Sequence, residues 1–267
     1  MLKQRVVTAL IAVAILLSVL FLAPVTLARA VIGILFLAGA WEWSQFLGTT
    51  SRLVRLVFLA VVGAAQIALG LEWVAPDNHF AIFMAAGAWW LAALAWIFVF
   101  PTPVPALLAW IAGLLVLVPA YLAMDTLYQL SPWLLLMALV LIWLADIGAY
   151  FSGRAFGRIK LAPRVSPGKT WEGVAGGLLM SLAAATAIAI YLDQNLFVLA
   201  PFIAAVVGVS VVGDLTVSMF KRHNGIKDSG SLFPGHGGIL DRIDSLCAAT
   251  PVMVAGGMAL GLAGASG

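Results

Sequence analysis

The chain has 267 residues, of which 64% are hydrophobic and only 9% are charged. A soluble domain carries about 25% charged residues, so this composition excludes a water-soluble globular protein and indicates that lipid surrounds most of the chain. The single cysteine, Cys247, excludes a disulfide framework and a cysteine-rich metal site. We expect no nucleic-acid partner.

Apolar segments of about the ~20 residues needed to cross a bilayer follow one another along the whole chain. They cover residues 6–22, 27–47, 54–72, 80–100, 104–124, 132–151, 172–192, 196–217 and 243–263. This pattern predicts an all-α, polytopic integral membrane protein with about nine transmembrane helices. No small-residue cleavage site follows the first segment, so we expect it to be a transmembrane helix and not a signal peptide.

The basic residues predict the orientation in the membrane. With a cytoplasmic N-terminus and nine crossings, all but one of the 14 Lys and Arg residues lie at the inner face, and only Arg29 lies outside. Because this distribution satisfies the positive-inside rule, we expect a multi-pass protein of the inner (cytoplasmic) membrane with its N-terminus in the cytoplasm.

The polar residues are distributed unevenly between the two halves. Residues 1–130 are predicted to be a transmembrane scaffold, whereas residues 131–267 carry the unusual chemistry in two inner loops, 152–171 and 218–242. A hairpin of two spans separates these loops. Both therefore emerge on the same side of the membrane, where we expect them to meet.

One polar motif lies at the end of the eighth apolar segment. Asp214 and Ser218 are four residues apart, and Lys221 falls on the same helical face. A carboxylate within an apolar span is costly unless it is paired or bound to a ligand, so Asp214 marks a functional site. The alternative is an Asp–Arg pair that only locks helix packing.

A glycine-rich loop follows this motif. Its glycines free the backbone N–H groups to wrap an anion, and Arg242 is a candidate phosphate ligand between two carboxylates, Asp241 and Asp244. His236 lacks partners at a metal-binding spacing, so we expect it to donate to phosphate or to organise the loop. The alternative is a flexible, solvated loop. The oxygen ligands suited to Mg²⁺ rather than zinc are Asp214, Ser218, Asp241 and Asp244.

The third motif is the basic loop that follows Asp146, another intramembrane carboxylate. This loop opens a helix at about Thr170, and the N-terminus of a helix is suited to bind polyphosphate. The alternative is an ordinary positive-inside loop without a ligand. In the first half of the chain, Glu42 is expected to snorkel to the membrane interface.

The run from Ser218 to Asp244 resembles the signature of the phosphatidate cytidylyltransferases, also called CDP-diacylglycerol synthases. The segments Asp146-x-x-Ala-Tyr-x-x-Gly153 and Ser166-Pro-x-Lys-Thr-Trp-Glu-Gly173 are also similar to the family's pattern. The resemblance covers the C-terminal half well, whereas the N-terminal half is similar mainly in hydropathy.

The resemblance implies an enzyme of phospholipid biosynthesis that converts CTP and phosphatidate into CDP-diacylglycerol and pyrophosphate at the cytoplasmic face. It also implies Mg²⁺, with one or two ions held by Asp214, Ser218, Asp241 and Asp244, and a homodimer. The catalytic residues it implies are Asp214, Asp241, Asp244, Lys221, Arg222, Lys227, Arg242 and His236. The substrate-binding residues it implies are Asp146, Ser166, Lys169, Thr170, Glu172, Asp228, Gly237 and Gly238.

Two alternatives remain open from the residues. One is a CTP-dependent polyprenol or phytol kinase, which would transfer a phosphate and release CDP. The other is a secondary transporter, which would be expected to carry matched broken helices in two halves and polar residues near the midplane. The polar residues of this chain cluster at one face instead.

Overall fold

The apolar segments fold into long helices because a helix satisfies its backbone hydrogen bonds within the segment, as lipid requires. The structure is a computed structural model that describes residues 2–191, 193–230 and 237–261, without the side chains of 2–9 and 191. Within these ranges nine α-helices and one β-hairpin are present. The helices are α1 Leu2–Phe21, α2 Val25–Trp43, α3 Arg52–Gly70, α4 His79–Val99, α5 Ala106–Leu130, α6 Pro132–Phe156, α7 Trp171–Tyr191, α8 Leu196–His223 and α9 Leu240–Ala259; the strands are β1 Lys160–Ala162 and β2 Ser166–Thr170.

The helices confirm the predicted polytopic, all-α fold. Seven helical stretches in the described part of the chain, one for each helix from α2 to α8, are long and apolar enough to cross a membrane. The described part of α1, Leu10–Phe21, is a shorter apolar helix. Each predicted apolar segment coincides with one of the nine helices, which is consistent with the predicted number.

Two helices extend beyond their predicted ends into the predicted loops. Helix α6 continues to Phe156 and α8 continues to His223; in the last turns of α8, Lys221 is buried against the protein and only 8% exposed. The rest of the first inner loop is a β-hairpin and not an open loop. Its antiparallel strands pair Lys160 with Thr170 and Ala162 with Ser166.

Glycines allow α6 and α7 to approach closely. A Cβ atom on Gly148 would lie 2.6 Å from the carbonyl oxygen of Gly176, and one on Gly177 would lie 2.6 Å from the carbonyl oxygen of Ala145. Small residues at a membrane helix interface permit such backbone contact. This packing holds Asp146 on α6 beside the hairpin that leads into α7.

A similar contact joins α8 to α9, which lies in the centre of the bundle. A Cβ atom on Gly213 would lie 2.5 Å from the carbonyl oxygen of Asp244 and 2.7 Å from the Cβ atom of Ala248. The close approach brings the following residue, Asp214, near Asp244. The two helices that carry the predicted site are therefore in close backbone contact.

At the end of the bundle opposite the hairpin, an ion pair joins α2 to α5. The Nε of Arg29 donates to Oδ1 of Asp125 at 2.8 Å, and its Nη2 donates to Oδ2 at 2.9 Å. The same guanidinium donates to the carbonyl oxygen of Gly70 on α3 at 3.1 Å. Such bidentate pairing satisfies both charges and aligns three helices.

Candidate active site

A polar cavity of about 470 Å³ lies between α6, the hairpin, α7 and α8. We call it the carboxylate cavity. It is open on one side to residues of the hairpin and is otherwise enclosed by small residues of the packed helices. Its polar lining includes Asp146, Lys169, Thr170, Ser210 and Asp214.

Asp214 is the centre of the charged contacts at this cavity. The Nζ of Lys169 lies 2.6 Å from Oδ2 of Asp214, and the Oγ of Ser218 donates to Oδ1 at 3.2 Å. Both members of the Lys–Asp pair are just over a quarter exposed, so ligands can reach them. The predicted partnership of Asp214 and Ser218 on one helical face is present.

Two more carboxylates surround this pair. Asp146 and Asp244 each lie within electrostatic range of both Asp214 and Lys169. Lys221, the second ammonium group within range of Asp244, is paired with Asp241, so the carboxylates outnumber the ammonium groups near them, which is costly in a poorly solvated site. The arrangement is therefore suited to receive an additional cation.

Residues of the segment that leads into α7 have two kinds of contact. Some hold the backbone through hydrogen bonds, and one forms an ion pair. The Oγ1 of Thr170 accepts a hydrogen bond from the backbone N–H of Gly173 at 3.1 Å, which is the geometry of a helix N-cap. The carboxylate of Glu172 accepts from the N–H of Ile159 at 3.1 Å. These contacts shape the join between hairpin and helix, and Lys169 is the member that reaches the carboxylates.

A second polar centre lies in the loop between α8 and α9, residues 224–239, which we call the glycine loop. Asp241 accepts from Nζ of Lys221 at 2.6 Å on Oδ1, and from the backbone N–H groups of Ser229 at 2.9 Å and Gly238 at 3.1 Å on Oδ2. Both carboxylate oxygens are therefore engaged. Asp241 holds the two described parts of the glycine loop together.

Glu42 of α2 is a member of this centre, so the expectation that it snorkels to the interface was wrong. It is only 6% exposed. Its Oε1 accepts from the N–H of Ile239 at 3.0 Å, and its Oε2 accepts from the N–H of Leu240 and the Oγ of Ser229, both at 2.8 Å. The carboxylate therefore binds the N-terminus of α9, where the helix dipole favours negative charge.

Two glycines make room for the Glu42 carboxylate. A Cβ atom on Gly230 or Gly238 would overlap the carboxylate oxygens. The sequence predicted that these glycines let backbone N–H groups bind an anion. In the structure, the anion beside them is the Glu42 side chain, which accepts from the N–H groups of Ile239 and Leu240. The sequence does contain a signal for this role of Glu42, because a carboxylate inside an apolar span needs hydrogen-bonding or charged partners.

The other predicted residues lie around these two centres. The Nε of Arg222 donates to the carbonyl oxygen of Val165 at 3.2 Å and joins α8 to the hairpin. Lys227 and Asp228 are exposed on the glycine loop, and Arg242 is exposed on the first turn of α9. Ser166 lies in β2, and Gly237 has a positive φ of 79°. His236 lies outside the described residues.

The donor set at the carboxylate cavity fits a magnesium ion. In the parts of the chain that the structure describes, no group of three or more His, Cys, Asp or Glu side chains is arranged to hold a metal. Mg²⁺ is, however, usually bound by one or two carboxylates together with water and substrate phosphates. Asp146 and Asp214 line the cavity with such oxygens; those of Asp214 are paired with Lys169 and Ser218, and those of Asp241 with Lys221 and backbone N–H groups of the glycine loop.

The fold and this cavity define a polytopic helical protein with a charged cavity between helices that are apolar enough to cross a membrane. The chain matches the model of the cytidylyltransferase family over residues 3–258. It therefore belongs to the cytidylyltransferase family, as its motifs predict.

Similar proteins are found in several bacteria. A phosphatidate cytidylyltransferase of Pseudomonas aeruginosa is 46% identical over 267 positions, which cover 96% of each chain. One from Haemophilus influenzae is 39% identical over 285 positions, covering 94% of this chain and 96% of that protein. One from Staphylococcus saprophyticus is 46% identical over 123 positions, covering 45% of this chain and 46% of that protein.

Proposed function

We propose that this chain is a phosphatidate cytidylyltransferase, which forms CDP-diacylglycerol and pyrophosphate from CTP and phosphatidate. The observation that carries the proposal is the identity of 46% to a protein of that name over 96% of both chains. The carboxylate cavity supplies a place for the reaction beside the membrane, where a lipid substrate can present its head group.

The reaction needs charge neutralisation more than covalent catalysis. A phosphate oxygen of phosphatidate attacks the α-phosphorus of CTP, the bond to the bridging β-phosphate oxygen breaks, and pyrophosphate leaves. Positioning and electrostatic stabilisation are the main contributions of a protein to such a transfer. Lys169 lies at the cavity and can exchange its contact with Asp214 for the phosphates of CTP.

We assign the metal site to the carboxylate cavity, and the predicted ligand Asp241 would reach a metal only by giving up its contact with Lys221 or with the glycine loop. Asp214 and Asp146, with Ser218 beside Asp214 and Asp244 within electrostatic range, would hold Mg²⁺. When bound, Mg²⁺ neutralises phosphate charge and orients the triphosphate. Asp241, Lys221 and Glu42 would act on the reaction by fixing the glycine loop.

We further propose that the site faces the cytoplasm and that the N-terminus lies on the same side. The distribution of basic residues supports this orientation, and CTP is a cytosolic nucleotide. A homodimer stays a prediction from the family resemblance. No contact in the described residues favours the lipid kinase or the transporter over the cytidylyltransferase.

Labelled CTP tests the reaction directly. With purified protein, phosphatidate and Mg²⁺ in mixed micelles, label from the α-phosphate should enter the organic phase, and label from the γ-phosphate should appear as pyrophosphate. The Asp214→Asn variant should lower the rate by at least about a hundredfold, because one charge that holds the metal is removed.

The matched control is Asp193→Asn, which makes the same chemical change at an exposed position in the link between α7 and α8. It should keep the wild-type rate. Transfer of the γ-label to lipid would instead identify a kinase, and movement of neither label would contradict the cytidylyltransferase function.

A further inference from the structure

An apolar groove of about 670 Å³ lies next to the carboxylate cavity. Its walls are formed by α4, the β-hairpin, α7 and α8. Seventeen residues line it in total, and Arg164 of the hairpin is the only charged one among them. The groove is therefore an apolar space with a single cation at the hairpin end.

The groove and the cavity lie on two sides of the same helices. Val174 of α7 and Val211 of α8 line both spaces. On α8, Asp214 lines the cavity, whereas Val212 and Leu215 line the groove. The two spaces are therefore adjacent, and the residues that line both of them are apolar.

The depth of the groove matches one leaflet of a bilayer. Its lining on α8 runs from Ala205 to Leu215, which is about 15 Å along a helix axis. The hydrocarbon core of a bilayer is about 30 Å thick. The groove is thus about half as long as the hydrocarbon core is thick.

A glycine keeps the groove open at mid-depth. Gly208 lines the groove on α8 and is exposed, and a Cβ atom built on it would meet no atom within 4 Å. A side chain at this position would therefore enter the groove without disturbing the helix packing. The adjacent cavity does not contain Gly208 in its lining.

Arg164 is positioned to contact the polar end of a lipid in the groove. Its Nη1 donates to the carbonyl oxygen of Phe100 at 3.3 Å, which fixes the guanidinium at the mouth of the groove. A guanidinium carries five N–H donors and pairs well with phosphate. Apolar walls and a cation at one end are complementary to a lipid with an anionic head group.

We propose that this groove binds an acyl chain of the lipid substrate, with Arg164 at the phosphate or ester end, and that it sets chain-length preference. The proposal rests on the proposed function, because it takes phosphatidate as the lipid that reacts at the carboxylate cavity. A chain bound here would be held by burial of apolar surface.

The Gly208→Phe variant tests the groove by filling it. With dioleoyl phosphatidate we expect kcat/KM to fall about tenfold, because the ring displaces several CH₂ groups of the chain. With dihexanoyl phosphatidate, whose chains do not reach this depth, the rate should stay near wild type. The KM for CTP should not change.

The matched control is Gly87→Phe on α4. A Cβ atom on Gly87 also meets no atom within 4 Å, but Gly87 does not line the groove. This variant should have the wild-type kcat/KM with both lipids. If Gly208→Phe loses kcat/KM equally with both lipids, or with neither, the groove is not the acyl-chain site.

Photo-crosslinking gives a second measurement that does not depend on a folded Gly208→Phe variant or on turnover. Phosphatidate with a diazirine near the chain end should label the wild-type peptide that contains Gly208 and Leu215, and excess unlabelled phosphatidate should prevent it. Labelling confined to peptides that do not line the groove would overturn the proposal. If the wild type forms no CDP-diacylglycerol from either lipid, the proposed function fails, while the cross-link still decides whether phosphatidate occupies the groove.

Discussion

At the scale of single residues, the carboxylates of this chain divide into two roles. Asp214 has an exposed fraction of about a quarter and contacts Lys169 at the cavity. Glu42 and Asp241 instead accept backbone N–H groups of the glycine loop and the start of α9. Residues of the same chemical type thus line a cavity in one place and hold loop geometry in the other.

Glu42→Gln tests the structural role at this scale. The amide keeps the shape of the side chain but presents N–H groups to backbone donors, so buried donors lose their acceptor. We expect a loss of about 1–3 kcal/mol in the free energy of unfolding, because unsatisfied buried polar groups cost that much. Thermal unfolding in detergent would be measured for the variant and the wild type.

The control for this change is Glu72→Gln, which removes the same charge at an exposed position after α3. It should unfold like the wild type. If Glu42→Gln also unfolds like the wild type and keeps full activity, the carboxylate is not needed to hold the glycine loop.

At the scale of secondary-structure elements, the site depends on helices that touch through glycine. The α6–α7 contact carries Asp146 and the hairpin with Lys169, and the α8–α9 contact carries Asp214 and Asp244. A change in the distance between these helices therefore moves the carboxylates relative to one another.

Gly148→Ala tests the α6–α7 contact. The added Cβ atom would lie 2.6 Å from the carbonyl oxygen of Gly176 and 3.0 Å from the Cα atom of Gly177, so one helix must shift. Overpacking of this kind costs about 1–3 kcal/mol. We expect lower thermal stability together with lower activity.

Gly87→Ala is the control, because its Cβ atom enters open space. It should keep wild-type stability. Equal stability of Gly148→Ala and the wild type would show that the α6–α7 interface can relax without moving the site.

At the scale of the whole molecule, the helices place the hairpin and the Arg29–Asp125 ion pair at opposite ends of the bundle. The single cysteine, Cys247, is buried, so a cysteine-free background needs one substitution. We expect Lys160→Cys in this background to react with a membrane-impermeant maleimide only when the reagent has access to the cytoplasm. Asp77→Cys should react from outside in intact cells.

The reverse pattern would contradict the proposed orientation. Reaction of both positions from one side would contradict the odd number of spans, α4 to α6, that lies between them. Replacement of Cys247 by Ala without either new cysteine should give no labelling. Both probe positions are exposed, so lack of reaction is not explained by burial.

Several features could be predicted from residues that are neighbours in the chain. Apolar runs of the right length predicted the helices, since a membrane span is a local property of composition. The spacing of Asp214 and Ser218 predicted their contact, since helical periodicity places residues four apart on one face. The motifs of the C-terminal half predicted the family, which the match over residues 3–258 confirms.

The contacts between distant segments required the tertiary structure. The sequence placed Glu42 in a scaffold helix, but only helix packing brings it to the N-terminus of α9, almost two hundred residues later. Likewise, Asp241 and Asp214 are equivalent as acidic residues in a polar motif, but only the tertiary structure shows that Asp241 binds backbone N–H groups of the glycine loop whereas Asp214 pairs with Lys169 at the cavity. Composition and periodicity therefore determined that this chain spans a membrane and which residues carry charge. Packing decided which charged groups meet, because the hydrogen-bond partners of a buried group depend on three-dimensional distance.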